Sequence, residues 1–387
     1  DLKGILLGGP GPTKYESREK NKMHYKLKGK ILAVLDTAYI GKWHVDGHGR
    51  SNYIPPERRL GFEYWKALEC THDYNHSAYY SFDSDEARFW DGYDAIVQTE
   101  DARKYIISHD RTKPFFLVLS WGPPHAPYHT APPEYRALYD PSALVLRENV
   151  PPECERKARE DLAGYYAHCS ALDACIGRLL ETIRKNDLEK NTILVFTSDH
   201  GDMLGSQGEW KKQRPWDESI RVPFLLHWPN LEHRDLDAVI DAPDIMPTLL
   251  GLCGIPVPDT VEGIDFSGYI RGDTDPSEGA ACIMCVHPFG QWNRIQHQGR
   301  EYRGLRTKRY TYVRALEGPW LLYDNEKDPF QRDNLIHTPE HASLAEELDK
   351  QLQKILEKRC DSFLPGMEYI RKWGYTVDEY ETVPYTD

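Results

Sequence analysis

The chain has 387 residues, of which 40% are hydrophobic, and a formal net charge of −13 at pH 7. The hydrophobic fraction excludes a disordered chain, and the length allows one large domain with a smaller one. The acidic balance argues against nucleic acid or an anionic membrane surface as a partner, because the field of the protein repels polyanions.

The N-terminal residues carry no recognisable targeting signal. Asp1–Gly4 have neither the basic nor the apolar region of a signal peptide, and no run approaches the ~20 apolar residues of a membrane span. The sequence does not begin with Met, which is compatible with a processed or truncated product. The missing signal is therefore weak evidence about the compartment. Residues 1–30 lack sustained periodicity and are predicted to form an irregular arm.

Apolar strands alternate with amphipathic helices over the first 280 residues. Short apolar runs at residues 31–35 and 37–40 are compatible with a buried strand or a helix end, and buried strands are predicted at residues 115–119, 192–196 and 222–228. Apolar side chains at three- and four-residue steps predict a helix over 160–185, and residues 245–252 predict a short one. This alternation predicts an α/β fold with a mostly parallel central sheet flanked by helices.

The alternation fades after about residue 280. Residues 302–314 and 320–324 predict antiparallel strands, and residues 340–358 predict one more helix. We therefore expect an α/β catalytic domain over 1–280 and a smaller C-terminal α+β subdomain over 281–387. Cys282 and Cys285 form one CxxC in a strand-like run, but a zinc site would need further ligands, so buried thiols or a disulfide are expected.

Charged and imidazole side chains concentrate where predicted strands end. Ligands of open α/β sheets bind beyond the carboxyl ends of the strands. Each residue alone has an ordinary structural interpretation, such as a helix N-cap for Asp199. Their shared position in four distant segments instead favours one active site. The residues are Lys42, His44, His125, Asp199, His200 and Lys212.

These side chains suit the transfer of a tetrahedral anion, even in an acidic protein, because a local cationic cluster can reverse the field inside a pocket. Two lysines can neutralise the equatorial oxygens, and an imidazole can protonate a leaving oxygen. An adjacent Asp-His pair can hold a divalent metal. Seven Tyr or Trp side chains lie between Tyr53 and Trp90. They are compatible either with stacking on a sugar or aryl ring of the substrate or with packing in the core.

The order of motifs resembles that of the sulfatase family, in the alkaline-phosphatase superfamily, over roughly residues 37–335. The matching segments are Gly-Lys-Trp-His at 41–44, Pro-His-Ala-Pro at 124–127, Ser-Asp-His-Gly at 198–201, Lys212 with Asp-Glu-Ser-Ile-Arg-Val-Pro at 217–223, and Asp-Ile-Met-Pro-Thr-Leu-Leu at 244–250. The first four of these segments, in this order and at plausible intervals, are much more specific than any one of them. The resemblance implies hydrolysis of a sulfate ester and a small aryl or sugar sulfate as substrate.

The resemblance also implies a role for each matching residue. Lys42 and Lys212 would contact the sulfate, with Lys211 the weaker choice for the second lysine. His125 would be the general acid for the leaving alcohol, and His44 the base that helps expel sulfate. The two metal ligands would be Asp199 and His200, although many relatives have Asn at the second position.

The metal implied is Ca²⁺, but an imidazole ligand is untypical of calcium and leaves Mn²⁺ or Zn²⁺ open. Glu218 and Arg221 are expected to form a structural ion pair. The family is secreted or periplasmic, which is the location the resemblance implies.

One part of the family pattern is missing from this sequence. Sulfatases carry two adjacent aspartates and a Cys-x-Pro-Ser-Arg motif whose cysteine becomes formylglycine, the nucleophile. None of the eight cysteines here begins such a motif, and no Asp-Asp pair occurs. We therefore expect an incomplete or inactive copy: a fragment, a wrongly started gene or a diverged member without catalysis.

Two other functions stay open at this point. A phosphodiesterase or phosphonate monoester hydrolase of the same superfamily would use the same anion site. A non-catalytic binder of sulfated glycans would keep the lysines and need no nucleophile. The Gly-Lys-Trp-His element favours the sulfatase interpretation.

Overall fold

The computed structural model describes residues 5–7, 31–288 and 299–378. The predicted irregular arm therefore lies almost entirely outside the described residues, apart from a short strand, β1 (Ile5–Leu7), which runs parallel to β2 (Ile31–Val34).

The remaining strands are β3 (Asp36–Lys42), β4 (Tyr64–Leu68), β5 (Ala78–Ser81), β6 (Arg88–Phe89), β7 (Phe115–Ser120), β8 (Leu194–Thr197), β9 (Phe224–His227), β10 (Ala280–Cys285), β11 (Tyr302–Thr307), β12 (Tyr310–Ala315) and β13 (Gly318–Asp324). The α-helices are α1 (Asp94–Ser108), α2 (Pro133–Arg136), α3 (Glu155–Lys185), α4 (Asp217–Ile220), α5 (Ile245–Leu252), α6 (Ser267–Arg271), α7 (Ala342–Lys358) and α8 (Gly366–Trp373).

The central sheet is mixed, with the order β6-β5-β4-β3-β7. Strand β3 runs parallel to both β4 and β7, while β5 and β6 extend the β4 side in antiparallel pairs. Helix α1 contacts β3 and β7 and packs against α3. The core between these layers contains Ile40 of β3 and Ala102 of α1. The predicted α/β class is confirmed.

Strands β7 and β8 are less buried than their apolar sequences predict. Phe116 of β7 is 44% exposed, and the apolar residues of β8 are only half-buried. Within the described part of the chain, β7 pairs with β3 alone and β8 pairs with β9 alone. Each strand therefore has one edge without a partner strand there, which explains the incomplete burial.

A separate antiparallel sheet, in the order β10-β11-β12-β13, forms the C-terminal part of the fold. Helix α7 packs on it through Leu348, Leu352 and Leu356, which recur every four residues and therefore line one face. They meet Leu305 and Leu322 from the sheet. The predicted antiparallel strands and helix are confirmed.

Two smaller expectations concern packing. All eight cysteines are free thiols, and burial raises the pKa of Cys282 to about 11, as expected for a structural thiol. Trp65 and Tyr74 are each only 1% exposed and belong to the core. None of the described helices combines the length and the apolar character that a membrane crossing requires.

Candidate active site

The first part of the site follows β3. Gly41 has φ of +109°, and a Cβ there would lie 2.1 Å from the Ser120 carbonyl oxygen, so only glycine fits this close approach to β7. The chain then turns so that the His44 backbone N–H donates to the Glu69 carbonyl at 2.9 Å. This places Lys42 at the end of β3 and His44 just beyond the sheet.

His125 follows β7 and is held at both ring nitrogens. Its Nδ1 lies 2.9 Å from the Ala126 carbonyl oxygen, which can only accept, so Nδ1 carries the hydrogen. Its Nε2 therefore accepts from the Lys212 ammonium at 2.8 Å. Burial and the charge of Lys212 lower the pKa of His125 to about 3, so the imidazole is neutral at pH 7.

Asp199 and His200 follow β8. His200 Nδ1 donates to the Gly201 carbonyl at 2.7 Å, which leaves Nε2 with a lone pair, 3.6 Å from Asp199 Oδ2. Burial raises the pKa of Asp199, but the interactions with His200 and Lys42 lower it. The pKa of Asp199 therefore lies below its ordinary value. The His200 ring lies 5.8 Å from the His125 ring, so the ends of β7 and β8 meet.

The six predicted residues act on one another electrostatically. Burial and the charges of Lys42 and Lys212 lower the pKa of His44 to about 4. Burial and Lys42 lower the pKa of Lys212 to about 8, which still leaves it mostly protonated at neutral pH. Positive charge is therefore concentrated at this end of the sheet, in a protein whose net charge is −13.

The sequence reasoning missed His72, which stacks on His125. The two ring centroids are 5.1 Å apart with an interplanar angle of 9°. Burial, followed by the charges of Arg50 and Lys42, lowers the pKa of His72 to about 4. His72 lies four residues after the end of β4, so the same strand-end rule finds it once β4 is recognised.

The loop that carries the second lysine is fixed by Asp202. Its carboxylate accepts from Tyr128 Oη at 2.7 Å and from the Lys211 backbone N–H at 2.9 Å. The backbone of Lys211 is thereby tied to this carboxylate, while the next side chain, Lys212, reaches His125.

The predicted ion pair between Glu218 and Arg221 is wrong. Glu218 instead pairs with Arg147 at 2.7 Å, and Arg221 is mostly exposed and 3.8 Å from Asp217. Asp217 makes its shorter contacts, at 2.7 and 2.8 Å, with Arg306 of β11. Glu218 and Asp217 thus form their shortest ion pairs with distant segments, and neither of these pairs includes Arg221.

Two neighbouring side chains in the site could bind a metal ion. Asp199 and the free Nε2 of His200 are adjacent, but no group of three or more His, Cys, Asp or Glu side chains suited to a metal occurs within residues 31–288 and 299–378. Ca²⁺ takes six to eight oxygen ligands. The described residues therefore do not complete a calcium site by themselves.

A mixed α/β sheet with cationic and imidazole groups converging at its carboxyl edge defines a hydrolase of the alkaline-phosphatase-like class. The sulfatase family profile matches residues 33–255, and the profile described as N-sulphoglucosamine sulphohydrolase, C-terminal, matches residues 205–358. The chain belongs to the sulfatase family, whose members are sulfuric ester hydrolases.

Relatives agree with this assignment. An ulvan-active sulfatase of Formosa agariphila is 43% identical over 357 residues, covering 90% of this chain and 69% of the relative. An endo-4-O-sulfatase of Bacteroides thetaiotaomicron is 27% identical, covering 85% and 72%. A solved Bacteroides fragilis structure classed as a sulfatase superposes with a TM-score of 0.76 at 30% identity, covering 85% of this chain and 76% of the other.

Proposed function

We propose that this site binds the sulfate group of a sulfated saccharide, with Lys42 and Lys212 on its oxygens. The observation that supports this most is the 2.8 Å contact between Lys212 and His125, which joins an anion-binding charge to a proton-transfer group. Lysine ammonium groups neutralise the charge that develops on a transferring oxyanion. The proposal that the sulfate is carried by a saccharide rests on relatives described as an ulvan-active sulfatase and an endo-4-O-sulfatase.

His125 is proposed as the group that protonates the leaving alkoxide. With Nδ1 fixed on the Ala126 carbonyl, only Nε2 can face a substrate, and it faces Lys212. A bound sulfate offsets the lysine charge, and this raises the pKa of His125 from about 3 toward its ordinary value. Nε2 can then take up a proton and pass it to the departing oxygen.

His44 is proposed as the base that helps to release sulfate. Its pKa of about 4 keeps the imidazole neutral at pH 7, and a base must be unprotonated to act. Asp199 and His200 are proposed to supply two ligands of a divalent metal, which would polarise the sulfate when bound. The secreted or periplasmic location implied by the family remains a prediction.

The competing functions differ in the ligand they favour. The phosphonate monoester hydrolase of Agrobacterium radiobacter shares the fold, with a TM-score of 0.60 at 21% identity, covering 68% of this chain and 60% of that one. Calorimetry should compare one monosaccharide in its sulfated form, phosphorylated as a methyl phosphodiester, and unmodified, so that the two anionic forms carry the same single charge. We expect the sulfated form to bind best and Lys42→Ala to abolish the preference, with Lys211→Ala as the control. Preference for the phosphorylated form would contradict the proposal.

A non-catalytic binder would give the same calorimetric result without turnover. The chemistry is therefore tested by supplying an activated aryl sulfate and an activated aryl phosphodiester to a version of the protein that contains the family's nucleophile motif. Sulfate release that falls in His125→Ala supports the proposed acid, whereas hydrolysis of the phosphodiester alone contradicts it.

A further inference from the structure

The side chain of Tyr128 joins two loops of the site that are distant in sequence. Tyr128 comes three residues after His125, in the loop that follows β7, and Asp202 comes two residues after His200, in the loop that follows β8. The Tyr128 hydroxyl donates to Asp202 Oδ2 at 2.7 Å. Tyr128 is only 7% exposed, and a hydrogen bond to a charged carboxylate is stronger than one between neutral groups. This contact therefore ties the two loops together.

The backbone around Tyr128 is itself held in place, in part by helix α3. A Cβ on Gly164 of α3 would lie 2.4 Å from the Tyr128 carbonyl oxygen, so the helix and the loop approach as closely as glycine permits. The Tyr128 ring also meets the Tyr165 ring of α3 edge to face, with the centroids 6.3 Å apart. The preceding Pro127 carbonyl accepts from Thr130 Oγ1 at 2.7 Å. The hydroxyl of Tyr128 is thus presented from a fixed support.

The loop that Asp202 holds has a strained backbone immediately before Lys212. Lys211 has φ of +65°, in the left-handed region that is unfavourable for a residue with a side chain. The second carboxylate oxygen of Asp202, Oδ1, accepts from the Lys211 N–H at 2.9 Å and from the Leu204 N–H at 3.1 Å. The Lys211 carbonyl accepts from the Met203 N–H at 2.8 Å. Because a strained conformation persists only where surrounding contacts hold it, these bonds maintain the turn from which the Lys212 side chain extends.

These contacts close a ring through the site. The chain runs from His125 to Tyr128, whose hydroxyl reaches Asp202. The carboxylate of Asp202 holds the Lys211 N–H, and the Lys212 ammonium returns to His125 Nε2 at 2.8 Å. In a closed ring, a shift at one contact changes the separation at the other. The contact of Tyr128 with Asp202 therefore bears on the distance between Lys212 and His125.

We propose that Tyr128 is a positioning residue, which acts through Asp202 to hold the Lys212 ammonium against His125 Nε2. Without the Tyr128 hydroxyl, the Asp202 carboxylate loses one of its hydrogen bonds and can turn away from the strained Lys211 backbone. The turn then relaxes, and the Lys212 ammonium moves away from Nε2. The consequence for sulfate binding rests on the proposed function, because it assumes that Lys212 contacts a sulfate oxygen.

The test compares the full chain with its Tyr128→Phe variant at pH 7. Nitrogen-15 NMR of the imidazoles, with His125 assigned by His125→Asn, reports whether Nε2 accepts a hydrogen bond. We expect the Nε2 signal in Tyr128→Phe to move toward its position in Lys212→Met. Calorimetry with inorganic sulfate should show an affinity about three- to tenfold lower, the effect of one weakened contact to a charged group. Tyr139→Phe is the matched control, because it removes a hydroxyl 2.7 Å from Ser170 Oγ of α3, and it should change neither result.

Two further variants separate positioning from a general structural effect. If Tyr128 acts through Lys212, adding Tyr128→Phe to Lys212→Met should not lower the sulfate affinity further. Asp202→Asn is the conservative variant, because its amide keeps an oxygen for the Lys211 N–H and can donate to the Tyr128 hydroxyl oxygen. It should retain the Nε2 signal of the parent, whereas Asp202→Ala should lose it.

The possible failures are distinguishable. If folded Tyr128→Phe keeps the Nε2 signal and the sulfate affinity of the parent, the positioning role is wrong and the proposed function stands. The same conclusion follows if Tyr128→Phe weakens sulfate binding equally with and without Lys212, or if Tyr139→Phe produces the same losses. If the parent itself does not bind sulfate, the proposed function is wrong, and the Nε2 signal, which needs no ligand, still decides the positioning role.

Discussion

Replacing Lys212 by Met should raise the pKa of His125. The substitution keeps most of the side-chain volume but removes the ammonium that donates to His125 Nε2 at 2.8 Å. The pKa of His125 lies at about 3, against an ordinary value of 6.5, and burial is a larger cause than Lys212. The larger cause therefore remains when Lys212 is replaced.

We expect the pKa to rise by about 1, to roughly 4, which corresponds to ~1.4 kcal/mol in favour of the imidazolium. The sign follows from electrostatics, because a nearby positive charge disfavours protonation and its removal favours it. Burial persists in the variant, so the pKa should not return to its ordinary value.

The measurement is an NMR titration of the imidazole resonances, with His125 assigned by comparison with His125→Asn. At pH 4.5 the imidazole should remain neutral in the parent and be partly protonated in Lys212→Met. Lys211→Met is the control, because it removes a neighbouring charge without removing the contact. An unchanged His125 titration in Lys212→Met, or an equal rise in Lys211→Met, would refute the argument.

Four further predictions concern binding, stability and activity. Inorganic sulfate should bind up to about tenfold more weakly per pH unit above 8, where Lys212 loses its proton, and calorimetry of Lys212→Met should show no such dependence. Gly41→Ala should destabilise the fold by more than about 3 kcal/mol in chemical denaturation, whereas Gly47→Ala, also at positive φ but with no atom within 4 Å of the added Cβ, should cost about 1 kcal/mol. Ca²⁺ should bind only weakly in calorimetry, and tight, stoichiometric binding lost in Asp199→Asn would contradict the incomplete metal site. Residues 1–387 should show no appreciable turnover of an activated aryl sulfate, because acid catalysis alone contributes only ~10²–10⁴-fold; robust turnover that disappears in His125→Ala would reveal an unrecognised nucleophile.

The parts of the fold that the sequence predicted are those with local apolar patterns. Strand β7, helix α3 and helix α5 lie close to their predicted positions because their burial follows a regular period. Strand β4 and helix α1 were missed because polar groups interrupt their apolar faces. Lys66 of β4 forms a 2.9 Å ion pair with Asp101 of α1, a tertiary contact that no local pattern reveals.

The site was predictable only where its residues follow recognised strands. Lys42 ends β3, Asp199 lies two residues after β8 and His125 lies five residues after β7, and the structure places their segments together. His72 depends on β4, which has no clear sequence signature.

The open strand edges and the incomplete metal site occur at the same place. The His125 and His200 rings, 5.8 Å apart, follow β7 and β8, the two strands that lack a second partner among the described residues. In open α/β sheets, the ligand-binding site lies beyond the carboxyl ends of the strands. The residues that follow each strand are therefore potential ligands of a metal in that site. Among the described residues, the proposed acid and the two metal donors thus follow the two half-buried strands that have one unpaired edge each.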